Sequence, residues 1–411
     1  MRRFLLVSLS ALFLTAHSQL EVRYLNIVTN DLAYDSFSQR IYASIPAANG
    51  PNGNSLGVID PKTHTLTQTV FIGSDPAEIA VSDDGEYVYS GFNGSNTIRR
   101  IKLSNLLPEP AFTLGSGSFG VFYAEDIEVM PGNHNIIAVS RKMTTTSPRH
   151  AGVAIFENGV MRSVVTQSHT GSNRIAFSNN ANWLFGYNNE STEFGLRRLV
   201  VDSTGVKEVG VFQNVIGGFS TDFIHHNNKL YSTSGKAVDV SNAPYVEGQF
   251  FTMYSGAVTF DPGLNLVCYA VYDWQGNIGF RRFNPEKFLT VDSISISATG
   301  YVKTMVNCGP GCYAFNTSDN KVVLITPGQV GLQEHAIPNK PVLFPNPTSG
   351  FLYLQGISAN NITVIDSYGR QMPINIQPGN CLDLSALSKG VYFIQSCNYQ
   401  GLREVYKIIR D

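Results

Sequence analysis

The chain has 411 residues, of which 15% are charged, and a formal net charge of −2. That length exceeds what one ordinary core encloses and implies two domains, or one large repeat domain with a small one. The near-neutral balance gives no reason to expect nucleic acid or an anionic membrane as partner, and the many glycines, tyrosines and phenylalanines (37, 19 and 25) suit short strands joined by tight turns.

The first residues give an address. Arg2-Arg3 is a basic start, Phe4 to Ala16 is apolar, and Ala16-His17-Ser18 places small residues where a signal peptidase reads. A signal peptide over residues 1–18 is expected, with a mature start near Gln19. The apolar run is too short for the roughly 30 Å of a hydrocarbon core, so no transmembrane segment is expected here or later. Export permits disulfides, but five cysteines are too few for a framework.

From residue 19 to 328 the chain repeats. Ile59 to Tyr89 holds a β-type alternation, a Gly-Ser-Asp-Pro break, the run Ile79-Ala80-Val81, a Ser-Asp-Asp-Gly turn and Tyr87-Val88-Tyr89. The pattern recurs at Leu32, Ile79, Ile127, Ile175, Phe223, Val258 and Val302, in steps of 47, 48, 48, 48, 35 and 44 residues. Each copy has an inner strand, a polar turn and a second strand. Most add a third strand such as Thr97 to Ile101 or Lys321 to Ile325, and then a fourth. Seven copies of a four-stranded sheet that cannot bury both faces alone predict a seven-bladed β-propeller. The last copy lacks a fourth strand, and Tyr24 to Val28 is expected to supply it and close the ring without a long exposed edge.

One copy carries a resemblance. Val58 to Thr67 (VIDPKTHTLT), then Val70 to Gly73, then Pro76 to Tyr89, is similar to the YVTN-type propeller repeat. The resemblance covers about forty residues and fades in later copies, which keep the spacing. It implies a seven-bladed ring at a cell surface or in the periplasm. That family holds binding proteins and relatives of lactone-opening enzymes, so fold alone does not give chemistry.

After a polar connector, residues 329–341, the register changes. Pro345-Asn346-Pro347-Thr348-Ser349-Gly350 reads as a turn. Short strands follow at Phe351 to Gln355, Ile362 to Asp366, Gln371 to Ile376, Val391 to Ser396 and Leu402 to Ile409, which predicts a small Ig-like β-sandwich over 342–411. The order of motifs resembles the C-terminal sorting domain of the type IX secretion system of certain Gram-negative bacteria. The residues that carry it are Pro345, Asn346, Pro347 and Gly350, then Asp366, Gly369 and Arg370 in VIDSYGR, Gly390 and Tyr392 in KGVYFI, and Lys407 in the terminal strand. The terminal basic residue is Arg410 where lysine is usual, a change that keeps the charge. The resemblance implies export to the outer-membrane surface or the medium, with the translocon and its sortase as partners.

Candidate chemistry is sparse. His225-His226 falls on the polar turn of its copy and is expected to be exposed, since adjacent strand residues point apart and no third ligand accompanies them. Asp83-Asp84-Gly85 lacks the spaced carboxylates of a calcium loop. No metal or cofactor is expected. Cys308-Gly-Pro-Gly-Cys312 fits a hairpin staple, and Cys381 with Cys397 is a second candidate pair. The pairs Arg99-Arg100, Arg197-Arg198 and Arg281-Arg282 each place one side chain on either face of a third strand; one of each pair is open to a polyanionic glycan, and solvated or locally paired strand charges are expected. A ligand site, if present, belongs at the ring mouth, where turns enter the innermost strands: Asp75, Glu78, Glu125, Asp126, Asn173, Arg174 and Asp222. Two classes of function stay open beside a third, a structural spacer of the cell envelope. One is a surface-delivered propeller that binds a protein or glycan without catalysis. The other is a lactonase-like or other hydrolytic propeller, which requires acids and a histidine or arginine to converge at one mouth.

Overall fold

The structure is a computed structural model and describes residues 20–252, 256–328, 342–355, 362–397 and 403–411. The expected signal peptide and linker lie outside the described residues. The chain divides into two compact units, Met1–Gly328 and Gln329–Asp411. Both are built of strands, and no helix among the described residues is long and apolar enough to cross a membrane.

The first unit opens with β1 (Leu20–Asn26). The first sheet is β2 (Leu32–Asp35), β3 (Arg40–Ile45), β4 (Ser55–Asp60) and β5 (Thr65–Phe71). The second is β6 (Pro76–Val81), β7 (Tyr87–Phe92) and β8 (Thr97–Lys102), with β9 (Leu107–Pro108) and β10 (Phe112–Thr113) both paired to β8. A small hairpin, β11 (Ser116–Gly117) and β12 (Gly120–Val121), leads to the third, β13 (Tyr123–Val129), β14 (Ile136–Lys142), β15 (His150–Glu157) and β16 (Val160–Met161). The fourth is β17 (Arg174–Phe177), β18 (Trp183–Tyr187), β19 (Leu196–Asp202) and β20 (Gly205–Phe212). The fifth, from the shortened copy, is still complete: β21 (Phe223–His226), β22 (Lys229–Ser232), β23 (Lys236–Asp239) and β24 (Tyr245–Gln249). Then come β25 (Ala257–Asp261), β26 (Leu266–Tyr272), β27 (Asn277–Phe283) and β28 (Thr290–Thr299), and finally β29 (Val302–Gly309), β30 (Cys312–Thr317) and β31 (Lys321–Pro327).

That last sheet takes β1 as its outermost strand. The two pair antiparallel from Leu20 opposite Pro327 to Asn26 opposite Lys321. The innermost strands neighbour one another in the cycle β2, β6, β13, β17, β21, β25, β29 and back to β2, so the sheets stand radially about one axis.

Strand alternation decides which wedge each side chain fills. Tyr42, Leu56 and Val58 face Ile79, Val88 and Ile101 of the second sheet, whereas Ile41, Ala43 and Ile59 face Ala314, Val322 and Leu324 of the last. The core is thus a set of separate inter-sheet clusters. Leu56 and Ile41 are fully buried, and each side chain of this kind stabilises by about 1.5–3 kcal/mol relative to its exposed state.

The second unit packs two sheets on one core. Order is β32 (Val342–Phe344), β33 (Phe351–Gln355), β36 (Cys381–Asp383), β35 (Asn375–Gln377) in one, and β34 (Ile362–Asp366), β37 (Gly390–Cys397), β38 (Arg403–Arg410) in the other. Leu352, Leu382, Val364, Ile394 and Ile408 meet between them. The strand expected over Gln371 to Ile376 is shorter and later. Gln371 makes only an isolated bridge to Ile365, because Asp366 first turns the chain back through Gly369.

Two expectations require correction here. Cys381 is a buried free thiol, not half of a pair with Cys397: its sulfur is turned to the Leu382 carbonyl at 3.8 Å. His225 and His226 are the last residues of β21 and not an exposed turn. The turn is Asn227-Asn228, both at positive φ (47° and 59°). Aromatic rings of neighbouring sheets cover both histidines: His225 stacks on Phe185 at 5.9 Å and His226 on Phe260 at 3.8 Å.

Candidate functional site

The position just before each repeat anchor brings charge to the axis. Asp31, Glu78, Asp126, Arg174 and Asp222 occupy it in five successive sheets. Arg174 is the hub, with its guanidinium 3.5 Å from Glu78, 3.9 Å from Asp126 and 3.5 Å from Asp222. It also donates to the Glu125 carbonyl at 3.3 Å.

The aspartates have a second task. Asp31 accepts the amides of Leu32 (2.8 Å) and of Ile79 in the next sheet (2.9 Å). Asp126 does the same with Ile127 (3.0 Å) and Ile175 (2.8 Å), and Asp222 accepts from Phe223 at 2.7 Å. A carboxylate on a backbone amide is a charge-assisted bond worth about 1.5–3 kcal/mol. The bonds to Ile79 and Ile175 tie neighbouring innermost strands together.

Burial and crowding alter the acids. Asp31 is pushed up to about 7 by burial and then by Glu78. Glu128, two residues along β13 from Asp126, rises to about 8 through burial and the charges of Asp222 and Asp31. Glu78 and Asp126 are raised by burial and neighbouring acids, against the pull of Arg174. Burial works against the Arg174 charge, yet Glu78, Asp222 and Asp126 hold its pKa well above the usual value.

Around this hub lies a second layer. Glu125 pairs with Lys142 at 2.8 Å and lies 3.8 Å from Arg149. Asn173 donates to Glu190 at 3.1 Å, and Arg149 binds the same carboxylate. Glu78, Glu125, Asp126, Asn173, Arg174 and Asp222 are therefore brought together. Asp75 is not: it sits at φ 53° in its turn and accepts the Ala47 amide at 3.3 Å. Asp31, Glu128, Lys142, Arg149 and Glu190 were missing from the sequence-derived set.

The other candidates sit in local structure. Cys308 and Cys312 form a disulfide across the β29–β30 hairpin, with Cα atoms 4.9 Å apart. Asp84 accepts Ser82 Oγ and the Glu86 amide, shaping a turn. Arg100 binds Glu109, Arg197 binds Glu193 and Glu208, and Arg282 binds Asp292. No group of His, Cys, Asp and Glu among the described residues could hold a metal ion.

In the second unit the motif residues build turns and an edge. The Asn346 side chain donates to the Lys407 carbonyl and accepts the Ile409 amide, both at 2.9 Å. Thr348 continues the pairing, its amide on Ile409 O at 2.8 Å and its carbonyl accepting Asp411 N at 3.0 Å. The segment that begins at Pro345, passes through Pro347 and ends at Gly350 thus lies along β38. Asp366 accepts the amides of Tyr368 and Arg370 and the Arg370 guanidinium (2.9, 2.9 and 2.7 Å), and Gly369 takes φ 78°. Tyr392, after Gly390, donates its hydroxyl to the Ser388 carbonyl at 2.9 Å.

Residues 342–410 match the model of the secretion system C-terminal sorting domain. The tail is a type IX secretion sorting domain. A chain that carries it is handled by the type IX machinery and is secreted or displayed at the cell surface. The first unit is similar to the Cps50 (Swd1) β-propeller domain of Myceliophteria thermophila, at 10% identity and TM-score 0.58, over 75% of this chain and 99% of that one. It is also similar to Kuenenia stuttgartiensis hydrazine synthase, at 12% identity and TM-score 0.54, over 72% and 95%. The radial unit is a β-propeller. No curated protein matches the sequence.

Proposed function

We propose that this chain is a seven-bladed, surface-delivered binding propeller of a Gram-negative bacterium, exported through a signal peptide over residues 1–18 and then by its sorting domain. Seven innermost strands in one cycle support the blade count. A repeat of the YVTN type and an Ig-like tail belong to the same reading. The observation that carries it is the commitment of the axial aspartates: Asp31 and Asp126 each hold an amide of the next blade, which fastens the ring and leaves recognition to its loops.

A hydrolytic propeller is the second reading, favoured by the convergence of Glu78, Asp126 and Asp222 on Arg174. A binding screen of the purified mature chain against glycans and surface proteins, run beside a lactone and ester panel, separates the two. Saturable binding without turnover is expected; turnover abolished by Asp222→Asn overturns the binding reading. Removal of residues 341–411 is expected to leave the protein in the periplasm.

A further inference from the structure

Arg141 and Arg197 are equally buried, both 4% exposed, but their partners differ. Arg197 has the carboxylates of Glu193 and Glu208. Arg141, near the end of β14, pairs with no carboxylate among the described residues. Its guanidinium lies over the Phe122 ring at 4.7 Å and donates to two carbonyls of β15, Ala151 at 3.1 Å and Gly152 at 3.4 Å. Its third contact runs from Nη1 to the sulfur of Met161 at 3.6 Å. Burial with no acid beside it pulls the Arg141 pKa down.

A guanidinium carries five N–H donors, and a thioether is only a weak acceptor. Two carbonyls and one sulfur leave this buried cation short of acceptors, which is costly in a poorly hydrated place. The sulfur comes within reach because Ala154 and Phe156 share one face of β15, and Met161 stands opposite Phe156 on β16. Met161 is also open to solvent. It is 44% exposed, against 8% for Met130 and Met143 and 6% for Met305.

We propose that Met161 is an oxidation site whose sulfoxide is held in the fold by Arg141. The co-reactant is a two-electron oxidant such as hydrogen peroxide. A sulfur lone pair attacks one peroxide oxygen, the O–O bond breaks and an S–O bond forms. Sulfur gives up two electrons, and the proton of the transferred oxygen leaves with the other oxygen as water. The charge of the protein does not change. The new oxygen extends the side chain by one atom, and rotation about its flexible bonds turns that oxygen to Nη1. A sulfoxide usually weakens a fold by placing a polar group among apolar ones. Here it supplies the acceptor that the guanidinium lacks, and a charge-assisted hydrogen bond replaces a weak N–H···S contact.

The test is brief peroxide treatment of the purified mature chain, followed by peptide mass mapping and thermal melts. Met161 should take up one oxygen at least tenfold faster than Met130, Met143 and Met305. The oxidised chain should melt roughly 1–2 °C above the untreated one. Met161→Leu, treated alike, should show no such rise, and it also reads any contribution from Met253 and Met372. Met161→Gln offers Arg141 an amide oxygen without any oxidant and should melt above M161L. In an Arg141→Met background the treatment should lower the melting temperature, since the sulfoxide then meets no donor.

Oxidation of the buried methionines ahead of Met161 overturns the proposal. So does a melting temperature that falls when Met161 is oxidised, or an M161Q variant no more stable than M161L. Should R141M not fold, the comparison of M161Q with M161L decides alone.

Discussion

Asp126 accepts the backbone amide of Ile175, one blade further round the ring, at 2.8 Å. Asp31 holds Ile79 in the same way at 2.9 Å. The blades therefore have a polar fastener on the axis in addition to their apolar wedges. Asp126→Ala removes the acceptor of two amides, including the one shared with Ile175, and takes a counter-charge from Arg174. A loss of about 2–4 kcal/mol is expected, read as a lower urea midpoint with an unchanged slope. Asp126→Asn, which keeps one acceptor, should lose about half as much.

Glu128 gives the ring a pH dependence. Its folded pKa is raised to about 8 by burial and the nearby acids Asp222 and Asp31, while an unfolded glutamate titrates near 4.3. Between those values the native state binds the extra proton, so stability falls as pH rises toward and through 8. Glu128→Gln fixes the uncharged form. The variant should match wild type at or below about pH 4, gain on it as pH rises from there, and be more stable by at least about 1 kcal/mol at pH 9, roughly 2 °C in melting temperature. Equal slopes of melting temperature against pH for the two proteins would count against this account.

Arg174 is the only cation within 4 Å of Glu78, Asp126 and Asp222 among the described residues. Arg174→Met leaves three acids facing one another without it. The expected cost is about 3–5 kcal/mol at pH 8, and it should shrink as pH is lowered from 8 toward 5, because Glu78 and Asp126, both raised, take up protons more readily than ordinary carboxylates. Thermal melts across that range check the claim.

Much of the ring was legible because its physics is local and repeated. Alternation fixes strands, Gly and Asp turns fix their ends, and a step near forty-eight residues fixes one blade. The closure was readable too, since the last sheet lacked a strand and the start of the chain had one to spare. The axial site was half legible. The turns that enter the innermost strands point to Glu125 and Asn173 but also to Asp75. The stronger signal was positional: the residue before each anchor is Asp31, Glu78, Asp126, Arg174 or Asp222. Glu128 needed the further step that residues two apart share a strand face. His225-His226 differs from expectation because the Asn227-Asn228 pair, able to take positive φ, forms the turn and leaves the histidines on the strand. The state of Cys381 is not legible either, since sequence spacing does not say which way a buried thiol turns.

The ring closure makes its own prediction. β1 pairs along its whole length with β31, so without it the edge of β31 is open. Deleting Leu20–Asn26 should leave the other blades able to form but expose a strand made largely of Val322, Val323, Leu324 and Ile325. Aggregation at micromolar concentration is expected, and a synthetic peptide of the β1 sequence added in trans should suppress it. Light scattering with and without the peptide reads the outcome.

Asn346 explains why the sorting motif begins as it does. Its amide meets a carbonyl and an N–H of β38, those of Lys407 and Ile409, as a neighbouring strand would. Thr348 then extends the pairing to the end of the chain. The motif thus protects the C-terminal half of an edge that is otherwise free to pair with another chain. Asn346→Ala strips two backbone groups of their partners and should cost the tail about 1–3 kcal/mol. Asn346→Asp keeps the acceptor for Ile409 but presents an oxygen to the Lys407 carbonyl, so it should be no better. The Ile409 amide is expected to exchange with deuterium at least tenfold faster in the alanine variant, while β37 stays protected. Surface display in the native host should fall in step with that exchange. Normal display with a freely exchanging β38 would separate the motif's fold from its recognition, and would place the signal read by the machinery in the exposed side chains instead.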